Sequence, residues 1–453
     1  MRVMKFGGTS VAGAARMRSV AQQVAAARAQ TRVFVVASAV SGVTQLLLDA
    51  AQAAQEGRPA LEAVHRFERL HAELAQELQA GLDASAAGQL QAALAALVEE
   101  LRALLQGVTL LRECSPQVLA HLSSFGERAA CLLLGAWMDA QGLAPQRVDP
   151  RHVLPCSGDP LQATPGLEAL RARLAPVREG GDGLWLMPGF FGGDAQGRPM
   201  CLGRGGSDYS AALVAAALEA QLLEIWTDVD GIFSADPRLV PEAFALPEVT
   251  FEEAMELAYF GAKVLHPKTI APVRAARIPV RVCNSFRPEH PGTRVSAGAA
   301  PPPHAVRGLS FLGGIALLSL SGSGLKGVPG TAARVFAAMA HEDISVVLIT
   351  QGSSECSISF CVQQADAARA VQALEEAFEP ERAQGRVDAV DRRDGLAILS
   401  VVGDGMRQRI GTAGTFLSAL AEVGCNVSAI AQGSSERSIS AVVAAQDGPR
   451  ALA

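Results

Sequence analysis

A nine-residue segment of this chain occurs twice with a single change. Gln351-Gly352-Ser353-Ser354-Glu355-Cys356-Ser357-Ile358-Ser359 returns 81 positions later as Gln432-Gly433-Ser434-Ser435-Glu436-Arg437-Ser438-Ile439-Ser440, and only Cys356 and Arg437 differ. The register extends backwards, with Gly330 matching Gly411 and Gly322 matching Gly403. A fixed period of this kind restricts the C-terminal part to two copies of one supersecondary unit, packed as a pseudo-symmetric pair. Each copy reads strand, helix, strand, strand; in the first these are residues 315–320, 331–341, 344–350 and 357–362. The repeat also accounts for Gly322, Gly324 and Gly327, which spell a dinucleotide-type G-x-G-x-x-G after a strand. Pro329 separates them from the next helix, and Gly403 and Gly405 stand at the same turn of the second copy without a third glycine.

A chain of 453 residues exceeds a single core, and a break falls at 297–304, where Gly and Ala lead into three consecutive prolines. The expected organisation is a domain over 1–296, a linker over 297–310, and two repeat domains over 311–392 and 393–453. The second copy reaches Ala453 after its third strand, so its closing helix and strand are expected to be missing, as at a trimmed end or a junction to a further half. Lys and Arg number 39 against 45 Asp and Glu, and aromatics are few, which argues against nucleic acid or an acidic membrane surface as partner. Eight scattered cysteines form no C-x-x-C pair and no histidines cluster, so reduced thiols and no metal site are expected. With no apolar run of bilayer length, the reading is a soluble cytoplasmic protein that handles a small molecule.

Two glycine-rich turns carry the candidate chemistry. Residues 3–6 read as a strand running into Gly7, Gly8, Thr9 and Ser10, with a helix expected over about 13–29. Paired glycines let the backbone approach a bulky anion, and a helix start turns unpaired N–H groups towards it. Lys5 at the strand end is placed to bridge phosphate oxygens. This is no Walker loop, and alone it fits an ordinary tight turn equally well. The second turn is Gly203-Arg204-Gly205-Gly206-Ser207-Asp208, ahead of an Ala-rich helix. Arg204 has the fork to clamp a carboxylate, while Ser207 or Asp208 also suits a helix N-cap. Two such turns in one chain favour anion binding.

Between them, residues 33–37 read as a strand buried on both faces, followed by a small-residue turn with Ser38 and Thr44. Residues 45–105 read as a helical hairpin or three helices. Glu127 sits in a helix turn after Phe125-Gly126, Phe190 follows another apolar strand, and Thr227-Asp228 ends a third. Loops past the carboxyl ends of parallel strands are where open α/β sheets bind ligands. Lys263 lies near a helix end, and His266 before a proline reads as a capping residue.

With Lys5 to Ser10, Gly203 to Asp208, Trp226-Thr227-Asp228 and Phe260 to Pro267 in hand, the chain resembles the aspartate kinases of the amino-acid-kinase family, and the repeat resembles their paired ACT regulatory domains. The resemblance covers nearly the whole chain. It is strongest to the kinase half of bifunctional aspartate kinase–homoserine dehydrogenases, which are commonly threonine-regulated. It implies an open, mostly parallel α/β sheet flanked by helices, plus tandem ferredoxin-like α+β ACT domains. The implied reaction moves the γ-phosphoryl group of ATP to the side-chain carboxylate of L-aspartate, with Mg2+ arriving on the ATP phosphates. The implied catalytic residues are Lys5, Arg204 and Asp208. Thr44, Glu127, Phe190, Arg204, Ser207 and Asp208 are implied at the aspartate pocket, with Arg204 on a carboxylate and Glu127 on the ammonium. Lys5, Gly7, Gly8, Ser38, Thr227, Asp228, Phe233, Arg238 and Lys263 are implied around the nucleotide, Phe233 standing where relatives often carry tyrosine. Gln351 and Gln432 are the expected effector contacts, with threonine as the expected effector and a homo-oligomer formed through the ACT domains. Alternatives are an amino-acid sensor without turnover, or a sister kinase acting on glutamate, acetylglutamate or carbamate.

Overall fold

The first apolar run forms the strand Arg2–Phe6, and in the computed structural model it lies at the centre of a sheet, parallel to Val33–Ala37 on one side and Leu222–Thr227 on the other. The structure describes residues 1–259, 265–299, 304–325, 328–351, 357–407 and 409–452. Two units divide the chain: Met1–Ile232 with Ala245–Phe251 and Lys263–Ala299, and Phe233–Phe244 with Glu252–Ala262 and Ala300–Ala453.

In the first unit, eight strands run in the order Glu248–Thr250, Thr293–Ser296, Val280–Asn284, Leu222–Thr227, Arg2–Phe6, Val33–Ala37, Leu184–Pro188, Gln146–Arg147. All neighbouring pairs are parallel except Val280–Asn284 with Thr293–Ser296. Val33–Ala37 is buried along its whole length, which is why its sequence is continuous rather than alternating. Met4 and Phe6 share one core with Met17, Val20 and Val24 of the helix Ala14–Arg28 and with Phe125, Ala129 and Leu133 of the helix Phe125–Ala140. Side chains alternate along a strand, so Lys5 points to the opposite face. The region after Val43 is three helices, Val43–Gln55, Leu61–Gln79 and Ala84–Leu111, whose apolar stripes join that core. A single turn of 3-10 helix, Gly8–Val11, precedes Ala14–Arg28, so the expected helix does not start directly behind the glycines. Gly13, at φ 142°, makes the break between them.

The second unit holds a six-stranded antiparallel sheet in the order Val346–Gln351, Ser357–Gln363, Gly308–Ser321, Asp391–Val402, Ser438–Ala444, Val427–Gln432. The repeat is visible in its backbone. Gly330 and Gly411 take the same left-handed conformation, φ 88° and 89°, ahead of the helices Thr331–His341 and Thr412–Glu422. Each copy buries its own core, Leu318, Val335, Met339 and Phe360 in the first and Leu399, Phe416, Leu420 and Ala441 in the second. On the other face of the sheet Ile315, Leu317, Leu348 and Cys361 pack with Leu396, Ile398 and Val442, so both copies share a second core.

The expectation of a missing closing strand is corrected by the pairing. In the first copy Asp391–Arg393 pairs beside Leu317–Ser319, and in the second Gly308–Leu312 pairs beside Ile398–Val402. Those positions correspond at the same offset of 81, so the stretch before the first copy supplies the closing strand of the second. It therefore lies within a strand and not only in a linker. The second copy's closing helix starts at Gly448–Leu452, against Ala367–Ala377 in the first. Gly322 and Gly324 are packed against backbone: a side chain on Gly322 would lie 2.4 Å from the Arg386 carbonyl oxygen, and on Gly403 2.5 Å from that of Ala305. The G-x-G turn is a joint of the repeat; Gly327 lies outside the described residues.

Candidate active site

Lys5 Nζ lies 2.6 Å from Asp208 Oδ1, which joins the two glycine-rich turns directly. The pair is mostly buried, and Asp208 sits in the first turn of the helix Gly206–Ala217, where the helix dipole favours its negative charge. Gly205, at φ 68°, is the N-cap, so neither Ser207 nor Asp208 caps this helix; both belong to its first turn. His266 packs behind Gly205, whose side chain, were there one, would lie 2.9 Å from the His266 Cβ. His266 itself caps the helix Pro267–Ala275, accepting from Lys268 N at 3.1 Å, and burial lowers its pKa.

A cavity of about 590 Å³ opens beyond the carboxyl ends of the central strands, lined by Lys5, Gly8, Ser38, Thr44, Glu127, Phe190, Arg204, Ser207 and Asp208. These nine come from five separate stretches of chain. Gly8 permits the closure: a side chain there would lie 2.7 Å from the Ala39 carbonyl oxygen, and the Gly8 carbonyl accepts from Ser41 N at 3.2 Å. Gly7 donates to the Trp226 carbonyl at 2.9 Å and holds the turn to the neighbouring strand. Gly42, at φ 85°, starts the helix that carries Thr44.

Glu127 reaches the cavity because Gly126 lets its helix touch Ala39; a side chain on Gly126 would lie 2.6 Å from the Ala39 Cβ. The Glu127 carboxyl is buried, and one of its oxygens has no hydrogen-bond partner. Burial pushes its pKa up from 4.5 to about 8, against the opposing pull of the Glu127 and Ala39 backbone and of the Lys5 charge. A carboxyl so placed is suited to a cationic guest, whose arrival would restore its charge. Arg204 is exposed and makes no ion pair with a described residue, which leaves its guanidinium available to an anion.

Phe190 adopts φ 76°, left-handed backbone that for a bulky residue costs on the order of 1–3 kcal/mol. Its N–H donates to Ser210 Oγ at 2.9 Å and its carbonyl accepts from Leu202 N at 2.9 Å. The sequence reading did not single out Ser41, Ser123 and Cys201, or the apolar wall of Leu48, Leu119 and Leu161. Ser41 stood in a turn already noted; the leucines lie far apart in sequence and carry no local signal.

Not every expected site residue lines this cavity. Thr227 and Asp228 end the strand beside Arg2–Phe6, with Thr227 Oγ1 3.2 Å from Asp228 Oδ1, but they are not part of the lining. Phe233 and Arg238 belong to the second unit. Arg238 is exposed and doubly bonded to Asp236, at 3.0 and 2.7 Å, and the adjacent Leu239 and Val240 pack on the core of the second repeat. Lys263 lies outside the described residues. Gln351 and Gln432 are exposed at the ends of the two edge strands, paired with Ile358 and Ile439. Among the described residues no group of three or more His, Cys, Asp or Glu is spaced to hold a metal ion.

The model of the amino acid kinase family matches residues 1–284, and an ACT domain model matches 318–378 and 399–453. The bifunctional aspartokinase/homoserine dehydrogenase of Haemophilus influenzae is 38% identical over 443 residues, covering 98% of this chain and 54% of that protein. The chain thus spans about half the length of the bifunctional relatives it matches. The aspartokinase of Schizosaccharomyces pombe is 34% identical, with 97% of this chain and 89% of that one covered. Among solved structures, E. coli aspartokinase III in complex with aspartate and ADP (R-state) superposes with a TM-score of 0.85 at 30% identity, covering 100% of this chain and 98% of that one. The same enzyme with lysine and aspartate (T-state) gives 0.78.

Proposed function

This chain belongs to the amino acid kinase family, among its aspartokinases, and from that premise we propose that it transfers the γ-phosphoryl group of ATP to the side-chain carboxylate of L-aspartate, giving 4-phospho-L-aspartate and ADP. The observation that carries this reading is the single cavity in which the Lys5–Asp208 pair stands together with Arg204 and Glu127. A carboxylate nucleophile, with an ordinary pKa of about 3.9, is ionised at neutral pH and needs no general base. The work left to the protein is neutralisation and alignment.

Lys5, held by Asp208, faces the transferring phosphoryl group; because its position is fixed before substrate arrives, little reorganisation remains at the moment of transfer. Gly7, Gly8 and Ser38 surround the phosphates, and the close approach that Gly8 allows fits a bulky anion. Arg204 takes a carboxylate of aspartate and Glu127 its ammonium, with Thr44, Phe190 and Ser207 closing the pocket. Thr227, Asp228, Phe233, Arg238 and Lys263 are assigned to the nucleotide by resemblance. Mg2+ carried on the ATP phosphates would add positive charge there when bound. ADP release measured over aspartate, glutamate, acetylglutamate and carbamate tests the acceptor: turnover with aspartate alone supports the assignment, and preference for another acceptor removes it.

The same reading makes this the first step of biosynthesis of the aspartate-derived amino acids, carried out in the cytoplasm and restrained by threonine bound near Gln351 and Gln432. Their equivalent positions in the repeat support paired effector contacts. Calorimetry with threonine, lysine and methionine decides the effector, since the lysine complex belongs to an E. coli relative. A homo-oligomer through the ACT repeats is supported by Ile349 and Ile430, equivalent residues exposed at 51% and 44% on the two edge strands. A kinase domain ending near 296 and a division between the two ACT repeats near 392 complete the proposal.

A further inference from the structure

Ser210 is fully buried one turn into the helix Gly206–Ala217 and does not line the cavity. Its hydroxyl donates to the Gly206 carbonyl at 2.8 Å and accepts from the Phe190 N–H at 2.9 Å. The first bond fixes the hydroxyl's rotation, so that its lone pair is aimed at Phe190. Phe190 needs such a partner because it is held in left-handed backbone without being glycine.

The surrounding contacts interlock. A side chain on Gly206 would lie 2.7 Å from the Phe190 ring, and one on Gly189 would lie 2.9 Å from the Ser207 Cβ. The loop that carries Phe190 and the turn that carries Arg204, Ser207 and Asp208 therefore fit together only in this register. We propose that Ser210 is a positioning residue for the acceptor pocket: by holding the Phe190 N–H it fixes the Phe190 ring against the turn that presents Arg204 and Ser207. This rests on the aspartate reading of the cavity. The Ser210 hydroxyl bonds to the Phe190 N–H and the Gly206 carbonyl and, among the described residues, to neither Lys5 nor Asp208, so it acts first on where the amino acid sits.

Ser210→Ala keeps the helix, since alanine is the better helix former and the lost hydroxyl bond to Gly206 is not part of the backbone ladder. It leaves the half-buried Phe190 N–H without its acceptor. Steady-state kinetics should show KM for aspartate raised about five- to tenfold, the fold-change of one hydrogen bond, with KM for ATP and kcat within about twofold. In a Phe190→Gly background, where the left-handed backbone is free of strain, the same substitution should add less than about twofold. An unchanged KM for aspartate, an equal rise for both substrates, or an undiminished effect in the Phe190→Gly background would overturn the proposal. If the parent protein does not turn over aspartate, the aspartate reading fails by itself. The latch is then judged by amide exchange at Phe190, which should speed up at least about tenfold in Ser210→Ala, as expected for a lost protecting bond; unchanged exchange overturns it.

Discussion

Gly8 and Gly403 each follow a strand, and each would meet a carbonyl oxygen if it carried a side chain, at 2.7 Å from Ala39 and 2.5 Å from Ala305. Around Gly8 the close approach leaves polar groups unspent: Arg204 has no ion pair with a described residue, and one Glu127 oxygen has no partner. Around Gly403 the charges are consumed. Glu253 accepts from Asp404 N at 2.9 Å and lies 3.3 Å from Arg307, and Asp404 in turn pairs with Arg437. Glycine-rich turns therefore look alike in sequence whether they cradle a ligand or lock a joint. What separates them is whether the polar groups beside the glycine are left free or satisfied within the fold.

The contrast breaks most readily at Lys5. Lys5→Ala should lower kcat about 100- to 1,000-fold, the range for loss of one preorganised charge-stabilising donor, in an assay of ADP release. Full retained activity would show that the cavity is not a phosphoryl-transfer site. At the other turn, Gly403→Ala should destabilise by about 1–3 kcal/mol through overpacking, measured by urea unfolding, with KM for aspartate and ATP unchanged. Gly8→Ala should do the reverse, losing activity ahead of stability.

The pH dependence sharpens the same contrast. Glu127 has a folded pKa raised to about 8 from 4.5, so the folded state holds a proton that the unfolded chain has released. Its stabilising contribution is complete below about pH 4.5, falls as pH rises towards 8 and is lost above it, with a slope of at most about 1.4 kcal/mol per pH unit. Glu127→Gln should flatten that slope in unfolding measured between pH 6 and 8. Aspartate binding near pH 7 should release protons from the parent protein, seen as a buffer-dependent binding enthalpy, and not from the variant. The smallest effect belongs to the repeat's one differing position: Arg437→Cys, which makes the two copies match, should cost no more than about 1 kcal/mol because the Arg437–Asp404 pair is partly solvated.

Much of this was legible in the sequence. The strand before Gly7, the small-residue turn at Ser38 and the Arg204 turn are local signals, and the structure brings them to one cavity. The offset of 81 gave the repeat, and Gly330 and Gly411 confirm it at equal φ. The closing strand of the second copy was not legible, because it comes from Gly308–Leu312, ahead of the first copy, where no repeat motif is printed in the side chains. Ser210 was missed for a related reason. Its partner Phe190 lies 20 residues away and is linked through the backbone, which leaves no side-chain pattern to read.

The most direct test is hydroxylamine trapping of the acyl phosphate from ATP and L-aspartate, with the hydroxamate identified by mass. Aspartyl hydroxamate should form with the parent protein, require both substrates, and fall about 100-fold or more in Lys5→Ala while that variant still binds aspartate in calorimetry. Absence of hydroxamate from the folded parent protein, or its undiminished formation by Lys5→Ala, would contradict phosphoryl transfer at this cavity.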